Sequence, residues 1–179
     1  KGEDVTNAIS YASLLSVPLF FGALAISKDV VVMIYGLEYA AAATVLVGLT
    51  LYRLVASQTE VYQSALNRLD YPDIGMKIDT ATLTVNVALG LALVYEFGTI
   101  GLVAAAVVAE TFRYLLSVSA TASRAAGIPV FRRPFRDQVV AGTVMFVLVR
   151  ISREAVPVRS WVELGVLVGT GTLAYAVVL

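Results

Sequence analysis

The sequence predicts an all-α protein, built as a polytopic bundle of six membrane-spanning helices. Three observations support this fold class: the composition, the lengths of the apolar stretches, and the residues that separate them. Of the 179 residues, 59% are hydrophobic and 15% are charged, whereas soluble domains have about 45–50% apolar and about 25% charged residues. The polar residues are too few to cover a water-soluble globule, which argues against a soluble enzyme and against a nucleic-acid-binding protein.

Six apolar stretches approach or exceed the length of about 20 residues that a helix needs to cross a bilayer. They run over Val5–Ser27, Glu38–Tyr62, Asp73–Phe97, Leu102–Ala125, Arg136–Arg153 and from Trp161 to the end of the chain. Because the connections between them are short, we expect neighbouring helices to be antiparallel.

Individual residues mark the expected ends of these helices. Lys28 and Asp29 interrupt the first apolar stretch, so residues 30–35 are expected to form a short helix or loop at the membrane interface. Pro72 suits the start of the third helix, and Gly98 begins a predicted tight turn before the fourth. In the last helix, Gly165 and Gly169 are spaced as small residues are in closely packed helix pairs.

The distribution of positive charges predicts the orientation in the membrane. With alternating loops, one side carries Lys1, Arg68, Lys77, Arg124, Arg132, Arg133 and Arg136, and the other carries only Lys28, Arg150, Arg153 and Arg159. Loops rich in Lys and Arg stay in the cytoplasm. The sequence therefore predicts that both ends of this segment are cytoplasmic and that the protein lies in the cell membrane.

Two charged residues fall near the middle of the fourth predicted helix. Glu110 and Arg113 are three positions apart, so they share a face and can partly neutralise each other. Isolated charges at this depth are costly and are usually functional. Glu110 and Arg113 have two possible roles. In a polar substrate site, Arg113 would bind an anion, and Glu110 would orient that anion or carry a proton. Alternatively, the two residues form a structural ion pair that faces another helix.

Arg53 and Asn86 complete the set of predicted substrate-binding residues. Arg53 has no acidic residue three or four positions away, so it either reaches a lipid headgroup or binds a phosphate-bearing substrate. Asn86 shares a helix face with Asp79 and Thr82, and a hydrogen bond between helices is its simplest explanation. Asp79 itself is expected near the cytoplasmic end, in a solvated position.

The chain offers no sign of cofactor, metal or enzyme chemistry. It contains no Cys and no His, which excludes disulfides, thiol nucleophiles and histidine-based metal or acid–base sites. It also lacks a phosphate-cradling glycine loop with a lysine. We therefore predict no catalytic residue, no metal and no cofactor.

Three stretches resemble one family of transporters. Residues 34–42 read Ile-Tyr-Gly-Leu-Glu-Tyr-Ala-Ala-Ala, similar to the hydrophobic–Tyr/Phe-Gly-x-x-Tyr-x-x-Ala signature of polysaccharide flippases. Val85-Asn86-Val87-Ala88-Leu89, followed by residues 96–105, is similar to the family's Asn-x-x-Leu and Gly-x-x-Gly-Ala-Ala stretch, except that Leu102 and Val103 stand where that motif has its two alanines. Arg133-Pro134-Phe135 and Met145 fit its late helices. These flippases belong to the multidrug/oligosaccharidyl-lipid/polysaccharide exporter superfamily.

The resemblance implies a fold, an activity and partners. The chain would be the C-terminal part of a MATE-like transporter, about helices nine to fourteen of fourteen. Residues 1–125 would form four helices of the C-terminal lobe, and residues 126–179 would add two more helices. Such proteins move a lipid-linked saccharide across the membrane by alternating access, so the expected partners are membrane lipid, that substrate and the missing N-terminal lobe, with no nucleic acid.

Two other functions remain open at this point. A cation-coupled multidrug exporter of the same superfamily would be favoured by an acid-dependent Glu110 that has no buried arginine partner. A membrane subunit that serves only assembly would seal Glu110 and Arg113 in a helix interface without a cavity.

Overall fold

A computed structural model describes residues 2–124, 133–155 and 160–179. All regular structure in these residues is helical. It consists of α1 (Gly2–Tyr35), a 3-10 turn (Leu37–Tyr39), α2 (Ala42–Arg68), α3 (Pro72–Ala122), α4 (Arg133–Ala155) and α5 (Trp161–Val178). The prediction of an all-α membrane bundle is confirmed.

Helix α3 consists of two helices joined at Gly98. This residue has φ 58° and ψ −138°, a backbone conformation that glycine adopts at little cost. Residues 72–97 and 99–122 fold back on each other, because Asp79 on the first half contacts Arg113 on the second. These residues are 34 positions apart, and in a straight helix they would be separated by about 50 Å. The predicted reversal at Gly98 is confirmed.

Three helices in the described part of the chain are long and apolar enough to cross a membrane. They are Ser13–Tyr35, Pro72–Ala122 and Trp161–Val178. The second is the folded-back helix, and each of its halves exceeds the length of about 20 residues that one crossing takes. The protein is therefore a multi-pass helical membrane protein, while the number of six spans stays a prediction because α2 and α4 are not among these three helices.

Helix α1 runs without interruption past Lys28 and Asp29 to Tyr35. The expectation that residues 30–35 form a separate short helix or loop was therefore wrong. Arg153 of α4 explains the difference: its Nε lies 2.6 Å from Asp29 Oδ2, and its Nη2 donates a hydrogen bond of 2.9 Å to Oδ1. A carboxylate that is paired in this way can remain inside an apolar helix.

Contacts at the two ends of the bundle show how the helices run: the two halves of α3 are antiparallel, whereas α1 and α4, which are not consecutive, meet at their C-terminal ends and run in parallel. The Asp29–Arg153 ion pair marks one end. At the other end, the Arg124 guanidinium carbon lies 5.3 Å from the centroid of the Tyr71 ring. Three residues used to predict the orientation, namely Lys1, Arg132 and Arg159, lie outside the described residues.

The helices form two packing regions, one polar and one apolar. The polar region comprises α2 and α3. The apolar region comprises α1, α4 and α5, with a core of Val17, Ala25, Ile26, Ala141, Met145, Val149, Leu164, Leu167 and Tyr175. Helix α1 also packs along α2, and it therefore connects the two regions.

Glycines set the close approaches within the apolar region. A Cβ atom on Gly142 would collide with the Phe21 ring and lie 2.9 Å from Val17 Cγ1. Gly171 of α5 lies against Val149 and Met145 of α4 in the same way. Helix α5 itself begins with a capping box, in which Ser160 accepts from the Glu163 amide and the Glu163 carboxylate accepts from the Ser160 amide.

Candidate substrate site

Five polar side chains from three helical segments meet inside the polar region, and we call them the polar cluster. Its members are Gln63 of α2, Asp79 of the first half of α3, and Glu110, Arg113 and Ser117 of the second half. All five lie inside helices, among segments that are largely apolar. The reversal at Gly98 is what brings the two halves of α3 together, and α2 packs against both of them.

Arg113 is the centre of the polar cluster. Its Nε lies 2.9 Å from Asp79 Oδ1, and its Nη1 lies 3.6 Å from Glu110 Oε1. A guanidinium group has five N–H donors and no acceptor. The contacts with these two carboxylates therefore leave donors on Arg113 that a ligand can use.

Gln63 ties the cluster together from the side of α2. Its Nε2 donates to Asp79 Oδ1 and to Ser117 Oγ, both at 3.3 Å. The approach depends on Gly75, because a Cβ atom there would lie 2.8 Å from Gln63 Oε1. Helix α2 therefore fixes the spacing of the two α3 halves at the level of the cluster.

Exposure rises across the polar cluster from one side to the other. The Glu110 side chain is 4% exposed, that of Arg113 25% and that of Asp79 51%. Glu110 Oε1 is buried and accepts no hydrogen bond, although it lies in the field of the Arg113 guanidinium. The cluster is therefore sealed at Glu110 and accessible at Asp79.

The structure brings together two of the four predicted site residues. Glu110 and Arg113 both belong to the polar cluster. Arg53 is exposed on α2, and Asn86 is half-buried on α3; neither forms an ion pair or a hydrogen bond with any described residue. Asn86 lies about 10 Å from Asp79 along the helix, and Arg53 about 15 Å from Gln63, at ~1.5 Å per residue. Both are displaced toward the end of the bundle that carries Gly98.

Sequence reasoning missed Gln63, Asp79 and Ser117 as members of the site. Asp79 is half-exposed, as a solvated position requires, but it is also the nearest partner of Arg113. A usable signal was present, because a helical hairpin that turns near Gly98 pairs residues at similar distances on either side of the turn. Asp79 and Arg113 are two such residues.

Comparisons with known proteins bear on the whole chain. No family model matches it, and no solved structure does. Over 178 residues, or 98% of the chain, it is 29% identical to the Haloferax volcanii protein named "Probable flippase AglR". Over 97 residues, or 54% of the chain, it is 27% identical to that organism's "Probable low-salt glycan biosynthesis flippase Agl15".

These curated relatives are probable flippases. The resemblance to flippases that the sequence motifs indicated is confirmed by them. The chain spans 37% of the length of AglR and the shorter match covers 21% of Agl15. These shares fit the prediction that the chain corresponds to one part of a longer transporter.

Proposed function

We propose that this chain is part of a flippase that moves a lipid-linked oligosaccharide or polysaccharide precursor across the cytoplasmic membrane by alternating access. The polar cluster is the observation that carries the proposal. Ionised side chains inside apolar helices are expensive, and where they persist they commonly mark a path for substrate or ions. The names of AglR and Agl15 support the same function.

In the proposed arrangement, residues 1–125 belong to the C-terminal lobe of a MATE-like transporter, and residues 126–179 add two peripheral helices. The N-terminal lobe, in the remainder of the protein, would form the opposite wall of the path. Both ends of the segment would face the cytoplasm, as the positive charges predict. Asp79 lies about 10 Å from the start of α3, at ~1.5 Å per residue, so in this orientation the polar cluster would lie in the cytoplasmic half.

The charges of the polar cluster suggest which part of the substrate it contacts. Two carboxylates surround one guanidinium group, so the cluster is net negative when all three are ionised. Such a group repels a phosphate but hydrogen-bonds well to sugar hydroxyls, which both donate and accept. We therefore assign saccharide contacts to Glu110 and Arg113, with Asn86 further along the same path, and phosphate contacts to the unpaired Arg53.

Each alternative function has one observation in its favour. The excess of carboxylate over guanidinium would suit a cation-coupled multidrug exporter, although the arginine partner of Glu110 counts against it. The burial of Glu110 would suit a subunit that serves only assembly, although the exposed edge at Asp79 counts against that. The same set of variants separates all three functions.

The test measures surface glycan in cells that depend on the full-length protein, after checking that each variant inserts at normal levels. We expect Arg113→Gln to abolish export. The triple variant Asp79→Asn, Glu110→Gln and Arg113→Gln keeps side chains of similar size and removes all three charges. If the polar cluster served only the structure, this variant would still export glycan. Normal export by the triple variant would contradict the proposed site.

Arg53→Gln provides the second arm of this test. We expect it to reduce export, whereas Arg150→Gln, which removes an exposed cation of α4 outside the proposed path, should leave export unchanged. Equal export from both variants would remove Arg53 from the site. Normal glycan together with accumulation of a cationic dye in the Glu110→Gln cells would instead identify a drug exporter.

A further inference from the structure

We propose that the outward face of α2 lines a water-filled vestibule, and that Glu60 in this vestibule binds the saccharide part of the substrate. Four exposed polar residues form this face, and we call them the polar stripe: Arg53, Glu60, Ser64 and Asn67. The role of Glu60 rests on the proposed function, whereas the vestibule follows from the structure of α2 and does not depend on transport.

The spacing of the polar stripe places it on one side of α2. Its members follow one another at intervals of seven, four and three residues, which puts them on a single helix face. They extend over about 20 Å along the helix axis. Helices α1 and α3 pack on the other sides of α2, where its buried residues lie, among them Thr59, Tyr62 and Leu66. The polar stripe is therefore covered by neither neighbour.

The polar stripe differs in chemistry from other surfaces that are equally exposed. Helix α3 exposes Leu83 and Leu91, by 63% and 70%, and α5 exposes Leu173 by 67%. Apolar side chains of this kind suit contact with lipid chains. The charges of Arg53 and Glu60 do not, because ionised groups that face lipid are costly. Neither residue forms an ion pair with any residue that the structure describes.

The polar stripe lies at the depth of the polar cluster. Glu60 is one helical turn from Gln63, and Gln63 donates a hydrogen bond to Asp79, which belongs to the candidate span Pro72–Ala122. Glu60 is therefore inside the membrane-spanning part of the bundle. The Asp79 side chain is 51% exposed, so the vestibule is continuous with the open edge of the polar cluster.

The composition of the polar stripe favours water over a packed helix as its cover. Membrane helices pack through small residues such as glycine and alanine, whereas the stripe carries two long charged side chains and an amide. A helix packed on this face would bury Arg53 and Glu60. They are seven residues apart, or about 10 Å, so one cannot directly neutralise the other. Water solvates both charges without requiring a partner.

The same face of α2 becomes apolar beyond Arg53. Leu49 and Ala42 continue the line of the stripe, and both are exposed. The hydrated part of the face therefore ends between Leu49 and Arg53. It opens at the other end of α2, near Arg68, which is the end that the positive charges predict to be cytoplasmic.

Glu60 has the chemistry to bind a sugar in this vestibule. Its carboxylate accepts hydrogen bonds, while the Ser64 hydroxyl and the Asn67 amide both donate and accept. Sugar hydroxyls can engage all three groups. Hydrogen bonds to a carboxylate are the strongest of this set. Since no described residue competes for the Glu60 carboxylate, it is available to a ligand.

The test of the vestibule labels single cysteines with a membrane-impermeant cationic methanethiosulfonate. The chain contains no cysteine, and the full-length protein is used with all other cysteines removed. In inverted vesicles, Glu60→Cys and Ser64→Cys should react about tenfold faster than Leu83→Cys, because only a hydrated thiol ionises to the reactive thiolate. Leu83 is the matched control, since it is exposed at the depth of Glu60. Leu49→Cys should react as slowly as Leu83→Cys.

Each result of the labelling has a definite meaning. If Glu60→Cys and Ser64→Cys react as slowly as Leu83→Cys, lipid or another helix covers the stripe, and the vestibule is overturned. Fast labelling only in right-side-out vesicles would overturn the cytoplasmic opening. Fast labelling of Leu49→Cys would overturn the apolar end of the vestibule. Labelling requires no transport, so none of these results depends on whether the protein is a flippase.

The test of Glu60 measures surface glycan in cells that depend on the full-length protein. Glu60→Gln should lower surface glycan about tenfold, because charge-assisted hydrogen bonds to sugar hydroxyls are lost. Glu96→Gln, which changes an exposed carboxylate near Gly98 and outside the vestibule, should leave it unchanged. Normal export by Glu60→Gln, with export abolished by Arg113→Gln, would remove Glu60 from the binding site while the proposed function stands. Normal export by both variants would contradict the proposed function as well.

Discussion

The polar and apolar regions differ in what they bury. In the apolar region, the core consists of aliphatic side chains, one methionine and one tyrosine around glycine contacts, and the buried polar residues described in it are two serines and one glutamine, Ser13, Ser27 and Gln138, with no buried ionisable residue among them. In the polar region, α2 and α3 bury Thr50, Gln58, Thr59, Thr82, Glu110, Ser117 and Thr121. A bilayer provides no hydrophobic drive between helices, so apolar helices associate by close packing. The polar region instead buries polar groups: the hydroxyls of Thr50, Thr59, Thr82 and Thr121 donate to carbonyls of their own helices, and Glu110 and Ser117 belong to the polar cluster.

The largest expected effect concerns the charge balance of the polar region. Arg113→Leu leaves the Glu110 carboxylate buried without its cation. Breaking a buried ion pair costs about 3–5 kcal/mol, and we expect the lower end because the Arg113 side chain is 25% exposed. Unfolding in detergent measures this loss. The double variant Arg113→Leu, Glu110→Gln should recover most of it; no recovery would show that the pair does not carry the stability of this region.

An intermediate effect is expected from the packing of the apolar region. Gly142→Ala places a methyl group against Phe21 and Val17 of α1, and overpacking of this kind costs about 1–3 kcal/mol. Gly165→Ala is the matched control, because a Cβ atom there meets nothing within 4 Å. Thermal unfolding should separate the two variants clearly. If they behave alike, the close contact between α1 and α4 is not a source of stability.

The smallest effect is expected from the ion pair that connects α1 and α4. Arg153→Gln removes the partner of Asp29 in a pair whose side chains are 33% and 17% exposed. Partly solvated pairs contribute about 1 kcal/mol or less. A cysteine cross-link between the facing ends of α1 and α4 should consequently form more slowly in this variant. An unchanged rate would show that apolar packing alone holds α4 on α1.

Patterns with a local cause were predicted well from the sequence. Gly98 turns the chain because its backbone conformation favours glycine, and Pro72 begins α3 because the first turn of a helix needs no donor there. Lys28 and Asp29 misled the prediction, since their effect on α1 depends on Arg153, which is distant in the sequence. The glycine pair Gly165 and Gly169 also misled it: both are exposed in the described structure, and Gly171 makes the contact with α4 instead.

The candidate site was predicted only in part, for a similar reason. The spacing of Glu110 and Arg113 is a property of one helix, so it could be seen in the sequence. Gln63 and Asp79 enter the site through the pairing of three helical segments, which a single sequence does not reveal directly. Arg53 and Asn86 were grouped with them on charge and polarity, but their positions along the helices separate them from the polar cluster.

The reversal at Gly98 has a consequence for how the protein enters the membrane during synthesis. If the first half of α3 were released into lipid alone, Asp79 would enter the membrane without Arg113, its ion-pair partner; an unpaired charge costs about 2.5–3.5 kcal/mol at the bilayer centre, and less at the depth of Asp79. Arg113 follows 34 residues later, after the glycine turn has been made. Insertion of both halves as one hairpin delivers the carboxylate and the guanidinium group together. The turn therefore allows Asp79 and Arg113 to pass through the insertion machinery as a neutralised pair.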